Sequence, residues 1–245
     1  MDYLKGFALN LGMLPPLVLV PALVKKTLQW MWLGLALGYL AGDFCLTVFA
    51  DEIPGLNFKS LSWNWVGKGA AILFAIAFLA ASPNVRRESG VVRKICHGSW
   101  AGAVLILALI AGGGVYLGLQ SGAEPFRKET VFFQTFMPSI SEELVFRGIL
   151  LCLLSRAMGI SFHIKNIEIS WAVPALVIWF GTGHAVFWTA SGIQIAWIYL
   201  AVTTAVGGAL MWLRLLTGSV WLPILGHTMF NLATTVIPMV RSGVP

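Results

Sequence analysis

Long apolar runs separated by short polar breaks give this chain its organisation. Several runs approach or exceed the roughly 20 residues that a helix needs to cross a bilayer. In order they predict about eight transmembrane helices, covering about Phe7–Val24, Thr27–Ala50, Val66–Ser82, Ser99–Leu119, Glu129–Arg156, Trp171–Ala190, Ile193–Leu215 and Ser219–Val240. The breaks have the chemistry of membrane-surface turns. Lys25-Lys26 follow the first run, and Asp51-Glu52 with Pro54-Gly55 follow the second. Trp63 and Trp65 suit the headgroup region. Pro15-Pro16 bend the first run, Pro138 offers a kink in the fifth, and Gly112-Gly113-Gly114 permit close helix approach in the fourth.

Composition strengthens this reading. The 245 residues are 58% hydrophobic and 11% charged, with a mean hydropathy of +0.84, which excludes an ordinary soluble domain. The expected fold is all-α: a polytopic membrane protein forming a single integral-membrane unit. Helices 1–4 lie in residues 1–128 and helices 5–8 in residues 129–245. The N-terminus lacks a small-residue cleavage site and reads as a retained span rather than a signal peptide. Cys45, Cys96 and Cys152 are scattered, so neither a disulfide framework nor a cysteine metal site is suggested.

The net charge of +6 needs no nucleic acid to explain it, because Lys and Arg gather in cytoplasmic loops. Lys25, Lys26, Arg86, Arg87, Arg93, Lys94, Arg156, Lys165 and Arg214 all fall in alternate connections. The bias puts these loops in the cytoplasm and both termini outside. Lys68, at the mouth of the third span, is expected to snorkel to the interface. Asp43 reads as an interfacial acid and His163 as a solvated loop residue.

One stretch departs from the pattern. Ser139-Ile140-Ser141-Glu142-Glu143-Leu144-Val145-Phe146-Arg147-Gly148 places two carboxylates and a guanidinium inside the fifth apolar run. A charge at bilayer depth costs about 2.5–3.5 kcal/mol on insertion scales, so intramembrane ionisable groups usually face a protein interior and function there. Two histidines also lie well inside apolar runs. His184 follows Phe180-Gly181-Thr182-Gly183, where small residues leave space beside the imidazole. His227 precedes Asn231 by four residues, one helical turn. Counted from the cytoplasmic span ends at about 1.5 Å per residue, both histidines and Asn231 lie roughly 12–20 Å deep, and Glu142 roughly 21 Å. These groups, on helices 5, 6 and 8, can therefore share a site.

Helical spacing divides the glutamates. Glu143 and Arg147 stand at i and i+4 with the acid first, the better order for an ion pair. Glu142 points about 100° away and has no cation in the local sequence, as suits a general base. Each element alone also fits a structural role: a buried clasp for Glu143–Arg147, interhelical ties for the others. Their coincidence at one depth favours function. Two His and a Glu could alternatively ligate zinc, although the helix-borne HExxH spacing is absent. A proton or cation relay in a transporter or scaffold is a further alternative.

Glu142-Glu143…Arg147, Phe180…His184 and His227…Asn231 resemble the three ordered motifs of the CPBP family. That name covers CAAX prenyl endopeptidases and bacteriocin-processing enzymes, also called the Abi family. The resemblance spans about Phe132–Val240. It implies an eight-helix, membrane-embedded endopeptidase of the glutamate-dependent type that needs no metal or other cofactor. Glu142 and His184 would activate a water, and His227 and Asn231 would stabilise the oxyanion. Glu143 and Arg147 would support the site, with Phe180 packed below His184. The expected partner is a membrane-associated protein or peptide precursor within the lipid bilayer, and no nucleic acid. The loop-poor build suggests a prokaryotic plasma membrane.

Overall fold

A computed structural model describes residues 12, 17–19, 28–50, 53, 61–92, 95, 99–159, 161–164 and 167–243. The first expected span, like the Lys25-Lys26 loop, lies almost wholly outside them. Each of the other seven contains a helix. These are α1 (Trp30–Phe49), α2 (Trp65–Ala81), α4 (Trp100–Gln120), α5 (128–158), α6 (Ala172–Ala185), α7 (Trp197–Thr217) and α8 (Trp221–Arg241), with a short α3 (Pro83–Glu88) after α2. Among the described residues α1, α4 and α7 are long and apolar enough to cross a membrane, and α2 and α6 are shorter apolar helices.

The outward faces carry large apolar side chains. Leu73 of α2 is 68% exposed, Leu109 of α4 66% and Ile198 of α7 78%. Such surfaces suit lipid, where an apolar exterior costs nothing and every backbone polar group must be paired within the protein. The interior is built around the C-terminal part of α5, whose Ile149, Leu150, Leu153 and Leu154 are fully buried.

Helix α5 is not one uniform helix. It runs as α-helix over Lys128–Glu143, as π-helix over Leu144–Leu150, and as α-helix again over Leu151–Met158. The chain stays helical through Pro138, and the departure from α geometry follows the two glutamates. Such π segments are frequent at functional sites.

The described residues are mostly helical, as expected, and two short hairpins interrupt the helices. The stretch expected as a polar loop after α5 contains β1 (Ser161–Ile164) paired antiparallel with β2 (Ile167–Ser170), with His163 exposed opposite Glu168. The sixth span ends at Ala185 rather than Ala190, because β3 (Val186–Thr189) and β4 (Gly192–Ile195) form a second hairpin. Val186, Phe187, Trp188, Ile193 and Ile195 are β-branched or aromatic and fit a pleated surface. Gly192 at the turn takes φ 104°, open to glycine and strained for other residues.

Glycine sets the closest helix contacts. A Cβ at Gly118 would stand 2.7 Å from the Ala233 carbonyl oxygen, and one at Gly114 would stand 3.0 Å from that of Phe230. These glycines let α4 lie against α8. Gly112 and Gly113 face open space, so of the expected glycine run only Gly114 serves this approach.

The connections gather at two ends of the bundle. At one, Arg156 pairs with Glu88, Arg214 donates to the Glu88 carbonyl, and the Val220 amide donates to the Gly90 carbonyl. At the other, Glu129 of α5 accepts the backbone N–H groups of Ser62 and Trp63 and the indole N–H of Trp65.

Candidate active site

The sequence places adjacent carboxylates at positions 142 and 143, and helical rotation sends them to different neighbours. Glu143 is fully buried. Its Oε1 accepts from Arg147 Nη1 at 3.0 Å and from His227 Nδ1 at 2.8 Å. Arg147 continues inward: Nη2 donates to the Gly207 carbonyl at 3.0 Å, and the guanidinium carbon lies 4.2 Å from the centre of the Phe180 ring. The expected i,i+4 clasp is therefore also a bridge joining α5, α7 and α8. It persists into the π run.

Glu142 differs from the expectation. It has a cation after all, on another helix. Lys68 Nζ of α2 lies 3.0 Å from Glu142 Oε1, with side-chain exposures of 23% and 18%. The snorkelling expected of Lys68 is corrected: in an apolar surround the nearest compensating charge is the carboxylate, and pairing costs less than leaving either group alone. The other oxygen, Oε2, stands 3.5 Å from His184 Nε2. It is buried and accepts no hydrogen bond within the protein.

His184 occupies the last turn of α6, just before β3. Its Nδ1 is 2.8 Å from the Phe180 carbonyl oxygen one turn back. A carbonyl can only accept, so Nδ1 carries a proton and, in the neutral ring, Nε2 presents a lone pair to Glu142. Phe180 packs beside the imidazole with ring centroids 4.4 Å apart, and its edge meets the His227 ring at 6.1 Å. Phe180 thus touches both histidines and Arg147.

Two cavities meet at this pair. One, of about 340 Å³, lies among α1, α2, α5 and α6 and is lined by Asp43, Phe44, Lys68, Phe146 and Trp179. The other, of about 290 Å³, is lined by Trp63, Phe133, Gln134, Thr203, His227 and Asn231. Glu142, Phe180 and His184 line both. Asp43, expected at the interface, instead faces the first cavity, and its Oδ1 is buried without a hydrogen-bond partner.

All seven residues singled out from sequence converge on this region: Glu142, Glu143, Arg147, Phe180, His184, His227 and Asn231. Lys68 and Asp43 join them without having been expected there. Their only local signal was an ionisable side chain within or beside an apolar run. Among the described residues, no three His, Cys, Asp or Glu side chains come together in a way that could hold a metal ion. His227 holds Glu143 through Nδ1 and lines the second cavity together with Glu142 and His184.

Residues 129–233 match the family model described as Rce1-like, type II CAAX prenyl endopeptidase Rce1-like. The matched segment contains all three motifs and bears out the resemblance read from them. Together with the apolar helices, it marks a mostly helical integral membrane protein of protease type. No curated protein and no solved structure matches the chain.

Proposed function

We propose that this protein is a membrane-embedded endopeptidase in which Glu142 and His184 activate a water against a peptide bond. The observation that carries this reading is the gap between Glu142 Oε2 and His184 Nε2. In the neutral ring with its proton on Nδ1, His184 Nε2 and Glu142 Oε2 are two acceptors, 3.5 Å apart at the junction of two cavities. They do not satisfy each other. A water satisfies both by donating one hydrogen to each, which turns its lone pair outward. That is the geometry required of general-base catalysis.

Attack by this water on the scissile carbonyl forms the C–O bond and passes a proton to the Glu142–His184 pair. The tetrahedral intermediate collapses when the pair returns the proton to the leaving nitrogen and the C–N bond breaks. Asn231 and His227, across the second cavity, supply donors for the oxyanion. His227 is held through Nδ1 by Glu143 and lines that cavity beside Asn231. Oxyanion donors of this kind contribute about 2.7–4 kcal/mol each.

The substrate class is a protein or peptide held at the membrane, since the reacting groups lie on helices whose outer surfaces suit lipid. Residues 129–245 form the catalytic core and residues 1–128 complete one integral-membrane unit, in a prokaryotic plasma membrane. The test uses purified protein in liposomes with a membrane-tethered peptide library read by mass spectrometry. The wild type is expected to produce paired fragments at defined bonds, also after exhaustive chelation, and Glu142→Gln and His184→Ala to produce them at least about 10²-fold more slowly. Full cleavage by either variant overturns the assignment, and cleavage abolished by chelation and restored by zinc favours a metallopeptidase.

A further inference from the structure

Glu142 is held from a second helix, and that contact has a chemical consequence. A carboxylate needs two things to share a water with a neutral imidazole. It must be ionised, because a carboxylic acid would donate its own proton to Nε2 and close the gap. It must also present one fixed oxygen, because a freely turning carboxylate exchanges the two. Lys68 meets both needs. Its ammonium occupies Oε1 at 3.0 Å, supplies the opposite charge, and leaves Oε2 as the oxygen beside His184.

The lysine is itself anchored. It lies in the first turn of α2, where the Asn64 side chain accepts from the Gly67 amide at 2.8 Å and donates to the Thr47 carbonyl of α1 at 2.7 Å. The segment just before is tied to α5 by Glu129, which accepts from Ser62, Trp63 and Trp65. Trp63 adds a hydrogen bond from Nε1 to Thr130 and stacks on Phe133 with ring centroids 5.0 Å apart. The start of α2 is therefore docked on α5, the helix that bears Glu142. Lys68 reaches the carboxylate from a fixed base.

Resting on the hydrolase reading above, we propose that Lys68 is a positioning residue for peptide hydrolysis: it fixes the charge and orientation of Glu142 so that Oε2 alone shares the water with His184. It touches neither the water nor the scissile bond. The N-terminal half of the bundle, outside the family match at 129–233, thereby contributes to the chemistry of the C-terminal half.

The experiment compares wild type, Lys68→Ala, Lys68→Arg and Glu142→Gln in liposomes with a membrane-tethered peptide that the wild type cleaves. A carboxylate displaced by about 1 Å loses on the order of 10²-fold in turnover. Lys68→Ala is therefore expected to lose about that factor in kcat, with KM changed less than about threefold, while the variant stays folded at the assay temperature. Lys68→Arg restores part of kcat, and ethylammonium in the buffer raises kcat of Lys68→Ala while leaving the wild type unchanged. A merely structural lysine would give neither rescue. Wild-type kcat in Lys68→Ala overturns the proposal and leaves the hydrolase reading intact. So does a loss that follows unfolding and responds to neither arginine nor amine. A wild type no faster than Glu142→Gln overturns both.

Discussion

His227 Nδ1 lies 2.8 Å from Glu143 Oε1, the same oxygen that takes Arg147 at 3.0 Å. One carboxylate oxygen thus holds a cation on its own helix and an imidazole on α8. Glu142, one residue earlier, holds a different pair from α2 and α6. Adjacent acids therefore build separate halves of the site, and substitutions at them have separable consequences.

Arg147→Ala strands Glu143 in a fully buried position. Removing one partner of a buried ion pair costs about 3–5 kcal/mol. The variant is expected to unfold at markedly lower temperature or denaturant than the wild type, measured in detergent or liposomes. Glu142→Gln keeps a side-chain oxygen that can still accept from Lys68, whose side chain is 23% exposed, so its stability should fall less than that of Arg147→Ala. Equal destabilisation by the two substitutions would contradict the division between the acids.

Asn231 faces the second cavity one turn from His227. Replacing it with Ala removes an oxyanion donor without disturbing the Glu143 bridge. Turnover should fall about 10²–10³-fold, with KM and unfolding temperature close to wild type. Unchanged kcat in steady-state assays would remove Asn231 from the reaction.

The approach of α4 to α8 bears on the same residues. Gly118→Val places new atoms against the Ala233 carbonyl, 2.7 Å from the added Cβ. Overpacking of this kind costs about 1–3 kcal/mol. Because α8 carries His227 and Asn231, Gly118→Val should lower both stability and turnover. Gly113→Val, which meets open space, should change neither. Thermal unfolding and cleavage rate measured on both variants provide the check.

The sequence revealed most where its information was local. Glu143 and Arg147 are four residues apart on one helix, and so are Phe180 and His184, and His227 and Asn231. Helical periodicity alone places each pair together. The Lys68–Glu142 contact joins positions 74 apart in sequence, and no periodicity encodes which helices become neighbours. Lys68 at a span mouth reads the same whether it turns toward headgroups or inward. The β3–β4 hairpin was hidden for another reason. Phe187, Trp188 and Ile193 continue the apolar run of α6, and hydropathy does not distinguish an apolar strand from an apolar helix over so few residues. The π run after Glu143 likewise has no compositional mark, since Leu144–Leu150 would serve equally well in an α-helix.

In the proposed reaction Glu142 and His184 act on one water. A double-mutant cycle in kcat tests that claim most directly, using Glu142→Gln, His184→Ala and the combined variant on one tethered peptide. Residues that act as a unit are not additive. Each single substitution should cost about 10²–10⁴-fold, the range for general-base catalysis, and the double should cost no more than the worse single. Losses that multiply in the double variant, or a single variant that keeps wild-type turnover, would contradict the shared water.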